Sequence, residues 1–485
     1  MRTHAIACLI PTVLALGGSR AVAAYCDPLP PINPNGTFIS NFANACYAIP
    51  FTAGSGTSSF GDANAEYETF YYVVNPAYEL IVLGTFPNAR FLSATVYDTH
   101  TAITNQMLDQ QFVPLTNSMT NPFVVGAQFV PNQQYAFRIS LGGGLPVQER
   151  PGCSTAKFNL NFLDASMIHS GLTWTGYSGL PPGFPAHITG PNTGGQFLIR
   201  RYVDISHPPV DQVILRDLST GCAVPAAQAL SMKIIQPVSP KPSPLFDLDQ
   251  VSDHVYFSQT IKAMQCYPAD PHNSVRWYRP RDFIQIDNGG SAGLAASFTS
   301  TQLAPVLAGT SFIRIEFKAP AYPNTPCSTG SCSLTGNEDL RYYSMSFQQS
   351  STTITSIKDS DMVQDPNGNI TIIASMGAIP PPQVTAANYY TYIDLTKFQN
   401  YQNIGVLLLR NFLNNPNFMC SAFNGPYHTM EYNSGGGFMG QYVPTVDFPT
   451  AAKIPITPVP PTRPDSCTYV PPPPTDCPPQ PGDSR

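Results

Sequence analysis

Short runs of β-branched and aromatic residues recur along the chain, separated by Gly, Pro and Asn, and each run predicts a strand. The clearest span residues 71–74, 80–86, 91–97, 135–140 and 197–203. Helical patterns are few and short, at 212–218, 225–232, 253–264 and 396–402. Many strands, little helix and abundant turns predict a mainly β protein of β-sandwich or jelly-roll-like architecture.

The pattern is interrupted in informative places. Arg2, the short apolar run 5–16 and the small-x-small triplet Ala21-Val22-Ala23 read as a signal peptide over 1–24. Pro237, Pro240, Pro242 and Pro244 cannot continue a helix or a central strand, so 236–245 reads as an extended linker. It separates an N-terminal β-sandwich domain, 25–235, from a C-terminal one, 246–450. Beyond these lies a Pro-rich tail, 451–485, which includes Pro471–Pro474. Such a tail buries too little apolar area to offset its ordering entropy, so it is expected to be disordered.

The two halves read as diverged copies. Leu80-Ile-Val-Leu-Gly-Thr-Phe-Pro87 followed by Arg90-Phe-Leu-Ser-Ala-Thr-Val-Tyr97 matches Phe312-Ile-Arg-Ile-Glu-Phe-Lys-Ala-Pro320 followed by Arg341-Tyr-Tyr-Ser-Met-Ser-Phe347. Each copy is an apolar strand ending in Pro, then a strand opening Arg-aromatic-x-Ser. The second copy inserts an excursion holding Cys327 and Cys332. Further on, Phe197-Leu-Ile-Arg-Arg-Tyr202 matches Leu407-Leu-Leu-Arg-Asn-Phe412. Three blocks in one order predict two tandem domains related by internal duplication.

Those blocks also carry a resemblance. Phe86-Pro-Asn-Ala-Arg-Phe-Leu-Ser-Ala-Thr-Val-Tyr-Asp98 resembles the FPxARYxSxxxYD strand of uncharacterised secreted bacterial β-sandwich proteins, some with domains of unknown function. Leu340-Arg-Tyr-Tyr-Ser-Met345, Gly405-Val-Leu-Leu-Leu-Arg-Asn411 and Gly440-Gln-Tyr-Val-Pro444 are similar to the LRYWSL, GVLxLRN and GxYxP segments of a related group. Tyr343 stands where that pattern has Trp. The resemblance spans roughly 65–210 and 305–445. It implies kinship of fold and brings no catalytic residues.

Composition narrows the function. Only 11% of the 485 residues are charged and the formal net charge is −6. Lys and Arg are too scarce for a nucleic-acid partner. Hydrophobic residues at 42% are too plentiful for a disordered chain. No later apolar run is long enough to cross a membrane as a helix. Of eleven cysteines, Cys8 lies in the leader and ten remain, an even number suited to an oxidising compartment. Pairing of nearest neighbours gives Cys26–Cys46, Cys153–Cys222, Cys266–Cys420, Cys327–Cys332 and Cys467–Cys477. A metal site has poor support, because there is no C-x-x-C and no H-x-H.

Candidate chemistry is sparse. Gly289-Gly-Ser291-Ala-Gly293 matches the nucleophile elbow G-x-S-x-G, but turn composition surrounds it and the order of His428 and Asp447 is reversed. His100, His169, His187, His207, His254, His272 and His428 form no ligand pattern. Asp359, Asp361 and Asp365, and more loosely Asp247, Asp249 and Asp253, leave structural calcium open. The run Asp365-Pro-Asn-Gly reads first as a turn. Glu66, Glu68, Asp98, Glu316 and Glu431 are the acids a glycoside hydrolase would draw on. Aromatics cluster at Tyr67, Phe70, Tyr71 and Tyr72, at Trp277-Tyr278 beside Arg276, Arg279 and Arg281, and at Tyr389, Tyr390 and Tyr392. Such groups offer a sugar ring a flat face and hydrogen bonds. They equally suit a β core.

The ligand-binding residues expected on these grounds are Arg90, Tyr97, Asp98, Trp277, Tyr278 and Arg341. The repeated Arg90, Arg341, Arg200 and Arg410 read as arginines bonded to loop carbonyls or to an acid such as Asp98, with an anion clamp as the functional alternative. The expected function is an exported binding protein, extracellular or periplasmic, without a redox or nucleotide cofactor. Its expected partner is an extracellular ligand or surface, with polysaccharide or other cell-envelope material first. A secreted glycoside or ester hydrolase and a structural surface protein are the alternatives.

Overall fold

The structure is a computed structural model that describes residues 47–50, 52–54, 62–98, 103–142, 161–164, 194–203, 211–220, 222–236, 275, 277–279, 291–323, 334–349, 352–424, 429–431, 439–459 and 467. The leader, the prolines of the linker, the segment 253–264 and all seven histidines named above lie outside these residues.

The first lobe contains β1 (Ile49–Pro50), β2 (Thr52–Gly54), β3 (Ala65–Val73), β4 (Tyr78–Thr85), β5 (Phe91–Asp98), β6 (Ile103–Leu108), β7 (Gln134–Ser140), β8 (Asn161–Asp164), β9 (Gly194–Tyr202), β10 (Gln212–Asp217) and β11 (Ile235–Gln236). They form two sheets, β1-β10-β4-β7-β8 and β11-β3-β9-β5-β6, with β2 paired to β3. The second lobe contains β12 (Trp277–Arg279), β13 (Ser291–Ser297), β14 (Ile313–Lys318), β15 (Leu340–Gln349), β16 (Thr352–Lys358), β17 (Asn369–Ser375), β18 (Tyr390–Asp394), β19 (Val406–Asn414), β20 (Thr429–Glu431) and β21 (Thr445–Asp447). These also form two sheets, β16-β15-β19-β13-β12-β20 and β18-β17-β14-β21. Among the described residues two short helices accompany the strands, α1 (Ala226–Ser231) and α2 (Ser300–Leu307). Among the described residues no helix is long and apolar enough to cross a membrane.

The lobes repeat one topology. In the first, β6-β5-β9-β3 lies in one sheet and β10-β4-β7-β8 in the other. In the second, β16-β15-β19-β13 and β21-β14-β17-β18 follow the same order along the chain and across each sheet. Even the exception is shared: β7 pairs with β8 in parallel, and β17 with β18, while the other pairs are antiparallel. Registers agree as well. Ser93 stands opposite Arg200, and Ser344 opposite Arg410.

Each lobe is a sandwich because inward residues at period two bury one sheet face against the other. Leu80 and Val82 of β4 and Phe137 and Ile139 of β7 meet Phe70, Val96, Phe197 and Ile199 of the facing sheet. In the second lobe, Ile313, Ile315 and Phe317 of β14 meet Met345, Phe347, Leu407 and Leu409.

Two expected helices are absent. Of residues 212–218, Gln212–Asp217 form β10, whose Val213 and Leu215 enter the main core while Ile214 enters a smaller one on the outer face. A short apolar run buried on both faces has no period that distinguishes strand from helix. Residues 396–402 form two separate 3-10 turns, Leu395–Lys397 and Tyr401–Asn403, because Asn400 takes a left-handed conformation at φ 61° between them. The expected helix at 225–232 is present as α1.

The expectation of a disordered tail also needs correction at its start. Ile454 is buried with Phe312, Ile373 and Tyr390, and Tyr390 Oη donates to the Pro455 carbonyl at 2.8 Å. Cys467 is bonded to Cys420, which replaces the nearest-neighbour pairs Cys266–Cys420 and Cys467–Cys477. Cys222 is disulfide-bonded too. The other candidate cysteines, Cys26, Cys46, Cys153, Cys266, Cys327, Cys332 and Cys477, lie outside the described residues.

Candidate functional site

The lobes pack through the outward faces of β5 and β9 against those of β15 and β19. At the centre, Phe91 and Tyr202 of the first lobe meet Tyr342 and Phe412 of the second. Equivalent distances match: Phe91 to Tyr202 is 5.6 Å and Tyr342 to Phe412 is 5.2 Å, while Phe91 to Phe412 is 5.5 Å and Tyr202 to Tyr342 is 5.4 Å between ring centroids. Tyr202 and Phe412, equivalent residues, touch each other at 4.6 Å. The arrangement is an approximate two-fold within one chain. Asp62 adds a polar clasp, accepting from Tyr342 Oη at 2.9 Å and Ser344 Oγ at 2.5 Å.

Two ion pairs flank this aromatic centre, and each crosses between lobes. Arg90 Nη1 donates to Asp359 Oδ2 at 2.9 Å. Arg341 Nε faces Asp109 Oδ2 at 3.5 Å. The arginines open equivalent strands. The aspartates open equivalent 3-10 turns after β6 and β16, and the residues before them, Leu108 and Lys358, share nearly one backbone conformation.

Equivalent positions have unequal surroundings. Asp359 is satisfied: Oδ1 accepts from the Ser360 N–H at 2.7 Å, and Oδ2 also accepts from the Tyr343 N–H at 3.3 Å. The Arg90 guanidinium stands over the Tyr322 ring, 5.2 Å from its centroid. Asp109 is fully buried, yet neither of its oxygens meets a well-placed hydrogen-bond donor. Arg341 is 7% exposed; its Nη2 donates to the Phe123 carbonyl at 3.3 Å, and its Nη1 is unpartnered. Burial pushes the Asp109 carboxyl up to about 6, against the pull of Arg341.

A cavity of about 410 Å³ adjoins this pair. Asp109, Gln110, Val125, Arg341, Glu338 and Asn414 are among its lining residues, so both lobes contribute. Asn414 Oδ1 is buried and unpartnered. Glu338 is occupied, accepting from the Thr335 N–H at 2.8 Å and the Gly336 N–H at 2.9 Å. Pro323 and Leu334, the described flanks of the excursion between β14 and β15, border the cavity as well. The first lobe joins β4 to β5 directly through 86–90.

A second buried charged group lies inside the first lobe. Arg201 Nη2 donates to Asp211 Oδ2 at 2.6 Å and to Glu68 Oε2 at 3.1 Å, and Tyr135 Oη donates to Asp211 Oδ2 at 2.7 Å. Burial raises Asp211 to about 7, and Glu68 adds to that rise while Arg201 opposes it. At the equivalent places the second lobe has Asn411 for Arg201, Ile370 for Tyr135 and Phe317 for Gly84.

The residues expected to bind ligand divide three ways. Arg90 and Arg341 do come together, at the lobe junction, and their acids are Asp359 and Asp109 rather than Asp98. Tyr97 is buried against Arg200, which donates to its hydroxyl, so it is a packed residue of the first lobe and not an exposed platform. Trp277 is fully buried in the second core, its Nε1 donating to the Pro444 carbonyl at 2.6 Å, so it is a core residue. The side chains of Asp98 and Tyr278 lie outside the described residues. Phe70 and Tyr72 are core residues too.

The remaining candidates are accounted for by local structure. Ser291 opens β13, and the chain continues as a strand antiparallel to β19, where an elbow requires a helix. Asp359, Asp361 and Asp365 serve separate partners: Arg90, Lys358 at 3.5 Å, and the turn N–H of Asn367 at 2.8 Å. Among the described residues no group of three or more His, Cys, Asp or Glu is placed to hold a metal ion. Sequence reasoning missed Asp109 and paired Asp359 with the wrong neighbours. The available signal was their like spacing after the paired arginines, nineteen residues from Arg90 and eighteen from Arg341.

No family model matches the chain. No curated protein matches it in sequence. Among solved structures it is similar to an uncharacterized protein from Burkholderia cenocepacia, with a TM-score of 0.40 and 11% identity, over 85% of this chain and 84% of that one. It is also similar to the VPA0106 protein from Vibrio parahaemolyticus, with a TM-score of 0.34 and 9% identity, over 80% of this chain and 90% of that one.

Proposed function

We propose that the chain is an exported binding protein whose ligand, a saccharide in the first instance, is held in the cavity between its two lobes. One observation carries this reading. Of two equivalent cross-lobe ion pairs, Arg90–Asp359 is a short hydrogen-bonded pair, and the longer Arg341–Asp109 pair adjoins a cavity lined from both lobes. The volume falls within the range of roughly 300–1,000 Å³ usual for small-molecule sites. Gln110, Gln111, Glu338 and Asn415, the accessible polar residues of the lining, stand among aliphatic side chains and suit a compact hydroxylated ligand. The leader-like first residues and the paired Cys420 and Cys467 support export, since disulfides persist in oxidising compartments.

Calorimetric titration of the purified mature chain with a panel of neutral mono- and oligosaccharides tests the reading. Val125 lines the cavity and is half exposed, so Val125→Trp fills the space without entering a core. Saturable heat from a member of the panel, lost in the folded V125W variant, is the expected result. A silent panel, or a variant that binds as the parent does, overturns it.

A further inference from the structure

We infer that the cavity between the lobes is the docking site of the chain's own proline-rich segment 468–474, which a ligand entering the cavity must displace. The inference rests on the cavity as a binding site, whichever ligand that site takes. The Cys420–Cys467 bond fixes where the segment begins. The two Cα atoms are 5.1 Å apart. Pro416, four positions before Cys420, lines the cavity. Four residues span at most about 15 Å, so the segment starts within about 20 Å of the cavity wall.

Its composition lets it cover that distance. Thr468-Tyr-Val-Pro-Pro-Pro-Pro474 is seven residues long and ends in four consecutive prolines. Consecutive prolines favour the polyproline II conformation, which advances about 3.1 Å per residue, so the segment reaches about 22 Å. A chain that is extended beforehand loses less conformational entropy on docking than a flexible one. The tether also holds the segment at a local concentration on the order of millimolar, so a weak contact suffices.

The accessible part of the lining fits this occupant. Val125 and Pro416 are exposed, and Leu108 and Leu413 are half-buried. They offer aliphatic surface to Tyr469, Val470 and the proline rings. Met419, exposed one residue before the tether, adds to that surface. A run of prolines presents carbonyl acceptors and no N–H donors, so its recognition combines apolar contact with side-chain donors. Gln110, exposed on the same wall, carries an amide that can donate. Segment 468–474 has no charged residue, so its docking desolvates no ion of its own. The tether selects this occupant over a separate partner, because it keeps the segment within reach while any partner must arrive by diffusion.

Photo-cross-linking in the purified mature chain tests the inference. Gln110→p-benzoylphenylalanine places a probe on the accessible wall. Gln228→p-benzoylphenylalanine places one at an exposed position of α1 as the control. In dilute protein the probe at 110 should cross-link to 468–474 of the same chain, about five-fold or more above the probe at 228, as read by mass spectrometry. Replacing Pro471, Pro472, Pro473 and Pro474 by Ser should lower that yield by a similar factor. Equal yields from the two probes overturn the inference. So does a yield that the serine variant retains, or a cross-link confined to dimers. The saccharide panel is read separately: its silence refutes the ligand reading and leaves the tail contact standing, and absence of the cross-link does the reverse.

Discussion

Asp109 and Asp359 hold the same station in their lobes, and each faces the arginine of the other lobe. The interface is built like that of a symmetric dimer, with one patch meeting its own counterpart. Covalent linkage into one chain frees the two halves to diverge. The Arg90–Asp359 side is a short hydrogen-bonded pair, and the Arg341–Asp109 side is longer and adjoins the cavity.

That inequality predicts unequal mutational effects. Asp359→Ala removes an acceptor of three hydrogen bonds and leaves Arg90 buried without an anion. Breaking such a pair costs about 3–5 kcal/mol. Asp109→Ala removes no well-formed hydrogen bond, and Arg341 keeps the Phe123 carbonyl, so its loss should stay below about 2 kcal/mol. Urea unfolding of both variants measures the difference, and equal losses would refute the asymmetry.

Three buried aspartates predict how stability depends on pH. Burial raises Asp109 and Asp359 to about 6 and Asp211 to about 7, against an ordinary carboxyl near 4. Below about pH 4 these groups are protonated in both states. Between about pH 4 and 7 the unfolded chain has released protons that the fold retains, so unfolding free energy falls as pH rises. Asp109 alone should account for a decline of about 2–3 kcal/mol over that interval. Urea unfolding at several pH values should therefore show a shallower decline in Asp109→Asn than in the parent.

Much of the fold is legible in the chain, and the site is not, for a physical reason. Strand runs such as 91–97 and 135–140 announce themselves because β propensity and bounding turns are local. The repeat is legible because Arg90-Phe and Arg341-Tyr open matching strands. The partner of Arg90 is 269 residues away, and only the packing of one lobe on the other brings it within reach. Trp277 shows the opposite failure: an aromatic beside arginines suits a ligand platform or a core equally until burial is known. The run at 212–218 fails because apolar residues on both faces of a strand erase its alternation.

Gly84 permits the buried group of the first lobe. A Cβ at this position would lie 2.2 Å from Asp211 Oδ1 and 2.4 Å from the Tyr135 ring. Gly84→Ala must displace side chains already fixed by hydrogen bonds, which should destabilise the protein by about 1–3 kcal/mol. Gly405→Ala serves as the control, because a Cβ there meets nothing within 4 Å. Thermal denaturation should separate the two, with G405A close to the parent.

The Cys420–Cys467 bond spans 47 residues and ties the chain beyond β21 to the loop after β19. Closing a loop of that length lowers the entropy of the unfolded chain by an amount worth about 4 kcal/mol in the loop-closure account, and measured values usually fall at about 2–4. Cys467→Ser should therefore lower the unfolding free energy by about 2–4 kcal/mol, and Cys420→Ser by the same amount. The double variant is the sharper measurement. If one bond accounts for both losses, the double variant is no less stable than either single variant. Losses that add would show the two residues acting separately, and the cross-link would then not be what holds residues 439–459 against the second lobe.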